Sequence, residues 1–155
     1  MKNFSWLKEH KFLVLILSLG ILLRFYHLDF QSVWLDEIHT LNEANPNLSF
    51  MEMYDLIKVT EPHPPLYFIL IKIAFSIFGY STFVLRFFSA LIGVIGILAI
   101  YKLGKELVNK QVGIISALLL SLNYFHLYHS QDGRMYALLF LTTVISFYFF
   151  IKFWI

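Results

Sequence analysis

Five apolar stretches, 12–28, 65–79, 84–103, 112–128 and 136–155, are separated by more polar segments along the 155 residues. A helix that crosses the hydrocarbon core needs about 20 predominantly apolar residues, with a range of roughly 17–25. Four of the stretches meet that range. The stretch 65–79 is too short, carries Lys72 at its centre, opens on Pro64 and Pro65 and closes on Gly79. The pattern predicts an all-α, polytopic transmembrane helical bundle of about four spans, forming a single membrane domain over 1–155.

Composition strengthens this reading. Hydrophobic residues make up 59% of the chain and charged residues 14%, where a soluble domain carries about 25% charged. With a mean hydropathy of +0.70, lipid must be the solvent for much of the surface. Aromatics, at 19%, gather at the ends of apolar runs as interfacial belts require. A net charge of +2 gives no reason to expect nucleic acid. The absence of Cys excludes disulfides and thiolate metal sites.

Charge order sets the expected orientation. Lys2, Lys8 and Lys11 precede the apolar run 12–23, as in a secretory signal. Arg24-Phe25-Tyr26 follows where small residues would mark cleavage, which predicts an uncleaved anchor with a cytoplasmic N-terminus. Lys105 and Lys110, with Lys102 just before them, favour a cytoplasmic loop between 103 and 112. That loop is cytoplasmic only if 65–79 lies in the interface instead of spanning. Segments 29–83 and 129–135 then share the outer face of a multi-pass protein of the plasma membrane.

The outer segment 29–64 is acidic, with Asp29, Asp36, Glu37, Glu43, Glu52, Asp55 and Glu61 against Lys58. Ser49 and Glu52 have the spacing of a capping box. Phe50, Met53, Tyr54 and Ile57 follow on one helical face, which predicts a short amphipathic helix. With 65–79 it makes two juxtamembrane helices in a long first outer loop.

Three constellations carry candidate chemistry. In Trp34-Leu35-Asp36-Glu37, two adjacent acids could supply a general base and a substrate-binding carboxylate, or form a solvated acidic loop under an aromatic belt. In Glu61-Pro62-His63-Pro64-Pro65, prolines fix φ near −65° and present Glu61 and His63 in a set direction. A His here could bind an anionic phosphate or orient an acid, or be incidental to a helix start. In Gln131-Asp132-Gly133-Arg134, the planar Arg fork suits phosphate or carboxylate, and Gly133 lets the backbone turn to present it. Arg86 could join Arg134, but a position two residues into an apolar span, beside Phe87 and Phe88, favours an interfacial anchor. Arg24 is expected to snorkel outward, and Lys72 to reach water from its in-plane helix. His10, His27 and His126 read as interfacial, and His129 as a weak candidate. There is no Gly-rich nucleotide loop. Asp36, His63 and His129 lack metal-type spacing, so neither cofactor nor metal is expected.

In the order WLDE, HPPLYFILIKIAFSIFG, VLRFFSALIGVIGILAIYKLGKEL and HSQDGRMYALL, the chain resembles membrane glycosyltransferases of the GT-C class. It is most similar to the protein-O-mannosyltransferase, aminoarabinose-transferase and lipopolysaccharide-transferase-like group. The resemblance covers nearly everything from about residue 12. It implies inverting sugar transfer from a polyprenyl- or dolichyl-phosphate donor to a protein, lipid or glycan hydroxyl on the outer face, with membrane lipids as surroundings. Asp36 corresponds to the acid that acts as base or orients the acceptor, and Glu37 to its support. His63 stands where some relatives place a Lys against the carrier phosphate. Asp132 and Arg134 keep the acid and the Arg of the relatives' Gln-Glu-Ala-Arg loop, and with Glu61 and His63 they make the expected phosphate-binding set.

Relatives of this class are several times longer, and this sequence stops inside an apolar run at Trp154-Ile155. A fragment, a truncated product or half of a two-chain assembly is therefore expected, with the missing C-terminal membrane portion as a partner. The rival readings are a small transporter or flippase-like bundle, which would place ionisable groups at the midplane on broken helices, and a non-catalytic membrane partner.

Overall fold

The computed structural model describes residues 2–154, with side chains from residue 11 onward. Eight helices follow in order: α1 (Lys2–Phe25), α2 (Leu35–Glu43), α3 (Phe50–Thr60), α4 (Leu66–Phe78), α5 (Thr82–Leu107), α6 (Lys110–Leu122), α7 (Tyr124–Gln131) and α8 (Tyr136–Trp154). No strand occurs among the described residues. The chain is a helical membrane bundle.

Local chemistry sets most boundaries. Ser81, Asn109 and Asn123 each accept a backbone N–H at the start of α5, α6 and α7, satisfying donors that a helix leaves orphaned. The expected capping box opens α3, with Ser49 and Glu52 exchanging bonds. Pro65 precedes α4, and Gly79 ends it at φ +94°, a conformation only glycine adopts readily.

Helices α5 and α8 are long and apolar enough to cross a membrane, and α6 with α7 makes a third if the pair is one broken span. α1 holds 24 residues, but Lys8, Glu9, Lys11 and Arg24 crowd its apolar run. The expected spans over 84–103, 136–155 and 112–128 thus correspond to α5, α8 and the α6–α7 pair, whereas the one expected over 12–28 falls on α1, which is not among the helices long and apolar enough to cross. The straight span expected over 112–128 is bent by 61° between Leu122 and Tyr124. The cause is Asn123, which ends α6 and whose Oδ1 accepts the N–H of His126 to begin α7.

The bend frees carbonyls, and Arg24 takes them. Its guanidinium donates to the backbone of Gly20, Leu120 and Ser121, and to His126 Nδ1 at 3.0 Å. Arg24 is fully buried and His126 nearly so. Neither is the interfacial residue expected, because bonds from elements about a hundred positions away replace water. Arginine only donates, so Nδ1 of His126 accepts and its ring proton sits on Nε2. In return, Gln131 Nε2 donates to the carbonyls of Leu23, Arg24 and Tyr26 at the end of α1. His27 is exposed, and the side chain of His10 lies outside those described.

α5 is the hub, packing against α1, α4, α6, α7 and α8. Where α5 and α6 turn back on each other, a Cβ on Gly113 would lie 2.5 Å from the carbonyl of Tyr101, so only glycine permits this approach. Leu13, Ile16, Ile97, Tyr101 and Ala117 form one core between α1, α5 and α6. A second core joins Met53 and Ile57 of α3 with Phe68, Ile71 and Phe75 of α4 and Leu85 of α5.

α4, at 13 residues, is about 20 Å long, against a hydrocarbon core of about 30 Å. Lys72, expected to reach water, is buried, and its Nζ donates to the carbonyls of Asn45 and Leu48 in the α2–α3 turn. Those turn carbonyls have no helical donor, so they take the place of solvent. The centre of α4 is thereby held at the depth of a polar turn, and α2, α3 and α4 cap one end of the bundle.

Candidate functional site

The three constellations meet at that capped end, where α2 begins, α3 gives way to α4, and α7 turns into α8. Their residues separate into engaged and free groups.

Glu37 is engaged throughout. Both its oxygens take a fork from Arg86, with Nε–Oε1 at 2.7 Å and Nη2–Oε2 at 2.6 Å, and Oε1 also accepts from Gly133 N at 3.0 Å. Arg86 donates further to the carbonyls of Leu28, Gln31 and Ser32. Both side chains are buried. Arg86 is therefore no interfacial anchor: it pins the 28–32 turn, α2 and the 132–134 turn to α5. Gly133 is glycine for lack of space, not to turn the backbone as expected. Its φ is not positive, and a Cβ would fall 2.5 Å from Leu85 and 3.1 Å from Glu37 Oε1.

Glu61 is engaged with Arg134 and His63. Nη1 and Nη2 of Arg134 reach its two oxygens at 2.8 and 3.2 Å, and His63 Nδ1 lies 2.7 Å from Oε2. Burial pushes the Glu61 carboxyl up, but the Arg134 and His63 bonds outweigh it and hold the group below its ordinary value. Burial likewise works against the Arg134 charge and is outweighed by Glu61, so its pKa is raised. Arg134 also donates to the Asp36 carbonyl and to Thr40 Oγ1. His63 is half-exposed, and its Nε2 makes no hydrogen bond to the described residues.

Asp132 is buried, and its Oδ1 accepts from Trp34 Nε1 at 3.2 Å. Its Oδ2 has no partner, and neither does His129 Nδ1, 3.9 Å away. Burial pushes the Asp132 carboxyl up to about 6, against the pull of the Trp34 bond. Asp36, Glu37, Arg86, Arg134, His129, Tyr67 and Tyr128 are the charged or titratable groups around it. A raised folded pKa means stability falls as pH rises from the ordinary carboxyl range through about 6, then levels. Asp132→Asn keeps the Trp34 bond and removes the buried charge. Its unfolding free energy should exceed that of the parent at pH 7.5, by about 2–3 kcal/mol, and match it near pH 4. Thermal unfolding at the two pH values checks this.

Asp36 differs from the rest. It sits half-buried in the first turn of α2, and its carboxylate has no hydrogen-bond or ion-pair partner among the described residues. Its charge is felt at Asp132, Arg134 and Tyr128, so it stands among them.

Sequence reasoning missed Glu43. Its Oε1 is 2.7 Å from Thr60 Oγ1, which is 2.8 Å from the Leu56 carbonyl. One hydroxyl proton cannot serve both, so both contacts are hydrogen bonds when Glu43 carries the proton. Burial, with the Glu61 charge, raises its pKa in the same sense. Thr40 was missed too, though it lies one turn beyond Asp36 and Glu37 on the same helix. Among the described residues no three His, Asp or Glu side chains group as a metal site.

Fold and site together define an all-helical membrane protein with a carboxylate-rich polar end, in which cations are paired and one acid is left open. The family model described as dolichyl-phosphate-mannose-protein mannosyltransferase matches residues 62–155. The chain belongs to that family, whose description is that of a glycosyltransferase of the mannosyltransferase type. His63, Asp132 and Arg134 fall inside the matched region, whereas Asp36, Glu37 and Glu61 precede it. An uncharacterized protein of Aquifex aeolicus (strain VF5) is 27% identical over 126 residues, covering 78% of this chain and 25% of the relative. The chain thus spans about a quarter of that relative's length. No solved structure matches.

Proposed function

We propose that this chain contributes the catalytic end of a glycosyltransferase that moves a sugar from a polyprenyl- or dolichyl-phosphate carrier to an acceptor hydroxyl. The observation that carries the proposal is the division among the site's acids. Glu37, Glu61 and Asp132 are held by Arg86, by Arg134 with His63, and by Trp34, while Asp36 remains open. A general base needs a free, accessible lone pair.

Asp36 takes the proton of the acceptor hydroxyl as its oxygen attacks the anomeric carbon. The bond from that carbon to the carrier phosphate breaks on the opposite face, so configuration inverts and the carrier leaves as a phosphate. His63, as an imidazolium, donates Nε2–H to that phosphate while Glu61 accepts its Nδ1–H. Arg134 fixes Glu61 and lends its charge to this pole of the site. Glu61 and Asp132 act by positioning. The donor is a membrane lipid, which matches a site at one end of the bundle.

The test is sugar transfer in proteoliposomes. Transfer from a polyprenyl-phosphate sugar and none from a nucleotide sugar is expected. The reverse preference would overturn the reading.

The capped end faces outward from a plasma membrane, with the N-terminus and the basic 103–111 turn in the cytoplasm. A single cysteine, Leu107→Cys, can be made in a chain with no native Cys. It should resist an impermeant reagent added outside and react once the membrane is opened. Labelling of intact cells at that position would sink this orientation.

A further inference from the structure

A cavity of about 250 Å³, with Glu37, the neighbour of Asp36 in sequence, in its wall, lies between the end of α1, the 26–34 turn and α7. The turn is sharp because His27 sits at φ +54°, in the left-handed region, and Phe30 N bonds back to its carbonyl. This geometry stacks Tyr26 on His27, with ring centroids 4.1 Å apart and planes 7° from parallel. Across the cavity Trp34 meets Tyr128 edge to face. Trp34 is itself fixed by its bond to Asp132.

Hydrogen-bond accounting shows what the cavity would accept. Arg86 is at its floor, but every guanidinium nitrogen already donates to Glu37 or to a backbone carbonyl. Both Glu37 oxygens are taken. What remains is the Oε1 of Gln131, whose amide N–H is turned to α1, and the side chain of Gln31, for which no bond is made among the described residues. The open groups are mostly acceptors, between aromatic faces, with no cation unneutralised. A phosphate only accepts hydrogen bonds and finds almost nothing here. A ring of hydroxyl groups donates to Gln131 Oε1, exchanges hydrogen bonds with the Gln31 amide, and lays its C–H face on an aromatic.

We propose that this cavity is a subsite for a neutral pyranose ring, so that the acceptor is a carbohydrate hydroxyl delivered to Asp36. The assignment of the ring to the acceptor rests on the transfer reading above, whereas ring binding as such does not. The carrier phosphate belongs at His63, which is not among the residues that line the cavity.

Trp34 supplies the test. In the full chain carrying Trp6→Phe and Trp154→Phe, Trp34 is the one tryptophan left. Titration with methyl pyranosides in nanodiscs should change its emission saturably, and inorganic phosphate should neither change it nor compete. Tyr128→Leu should weaken binding about tenfold, the size of one lost ring contact. Gln31→Ala, at an exposed position that cannot disturb folding, should weaken it in the same direction. No saturable response to any of the gluco, manno and galacto methyl glycosides would overturn the subsite, as would competition by phosphate or indifference to both Tyr128→Leu and Gln31→Ala. Glycoside binding that persists where proteoliposomes show no transfer would instead defeat the transfer reading and leave the subsite standing.

Discussion

Asp36→Asn is expected to lower sugar transfer by about 10²–10⁴-fold, the usual cost of losing a general base, while the protein still inserts and folds. The fold should be spared because the carboxylate makes no bond to the described residues; the Asp36 group that holds Arg134 is its backbone carbonyl. Asn is nearly isosteric but has no basic lone pair at neutral pH, so binding of the donor should change little. Rate and donor affinity should be measured in the transfer-competent assembly, with thermal unfolding alongside. Near-normal turnover would remove Asp36 from the mechanism. Loss of turnover together with a fallen unfolding midpoint would point to a structural role instead.

The second large effect concerns stability. Arg86→Met should destabilise the capped end by about 3–5 kcal/mol, because it leaves the Glu37 carboxylate buried without its cation. It also frees the carbonyls of Leu28 and Gln31, which lose their donors in the same step. Glu37→Gln in the same chain should recover much of the loss by removing the unpaired charge, leaving a clear coupling energy in a double-mutant cycle. Denaturant unfolding of the four proteins in detergent measures it. An unchanged midpoint for Arg86→Met would mean that Glu37 finds a proton or water and that the pair does not pin the turn.

Apolar run lengths, the Ser49–Glu52 box and Gly79 made the helices legible, because each depends on neighbours within a turn or two. The gathering of the three constellations at one end followed from counting spans. What stayed hidden was the burial of Arg24, Lys72, Arg86 and His126. A cation near the end of an apolar run looks the same whether it faces water or a remote carbonyl, and the deciding partners here lie 24 to 102 positions away. The bend at Asn123 has a local signal, an Asn placed to cap the N–H of His126. The apolar residues on both sides masked it. The pairing of Arg86 with Glu37, and hence the different fates of two adjacent acids, depends on which face of α2 meets α5, and no residue near Asp36 specifies that.

The exchange between Arg24 and Gln131 also constrains the order of assembly. The carbonyls at the end of α1 are satisfied by a side chain from α7, and those at the end of α6 by a side chain from α1. During synthesis α1 enters the membrane more than a hundred residues before Gln131 exists, with its last carbonyls open and Arg24 unsolvated by protein. In hydrocarbon each such group costs several kcal/mol, so the nascent α1 should stay near headgroups or water until α6 and α7 arrive. The two helix ends then close together, in a late step that draws the first and last parts of the polar end into register.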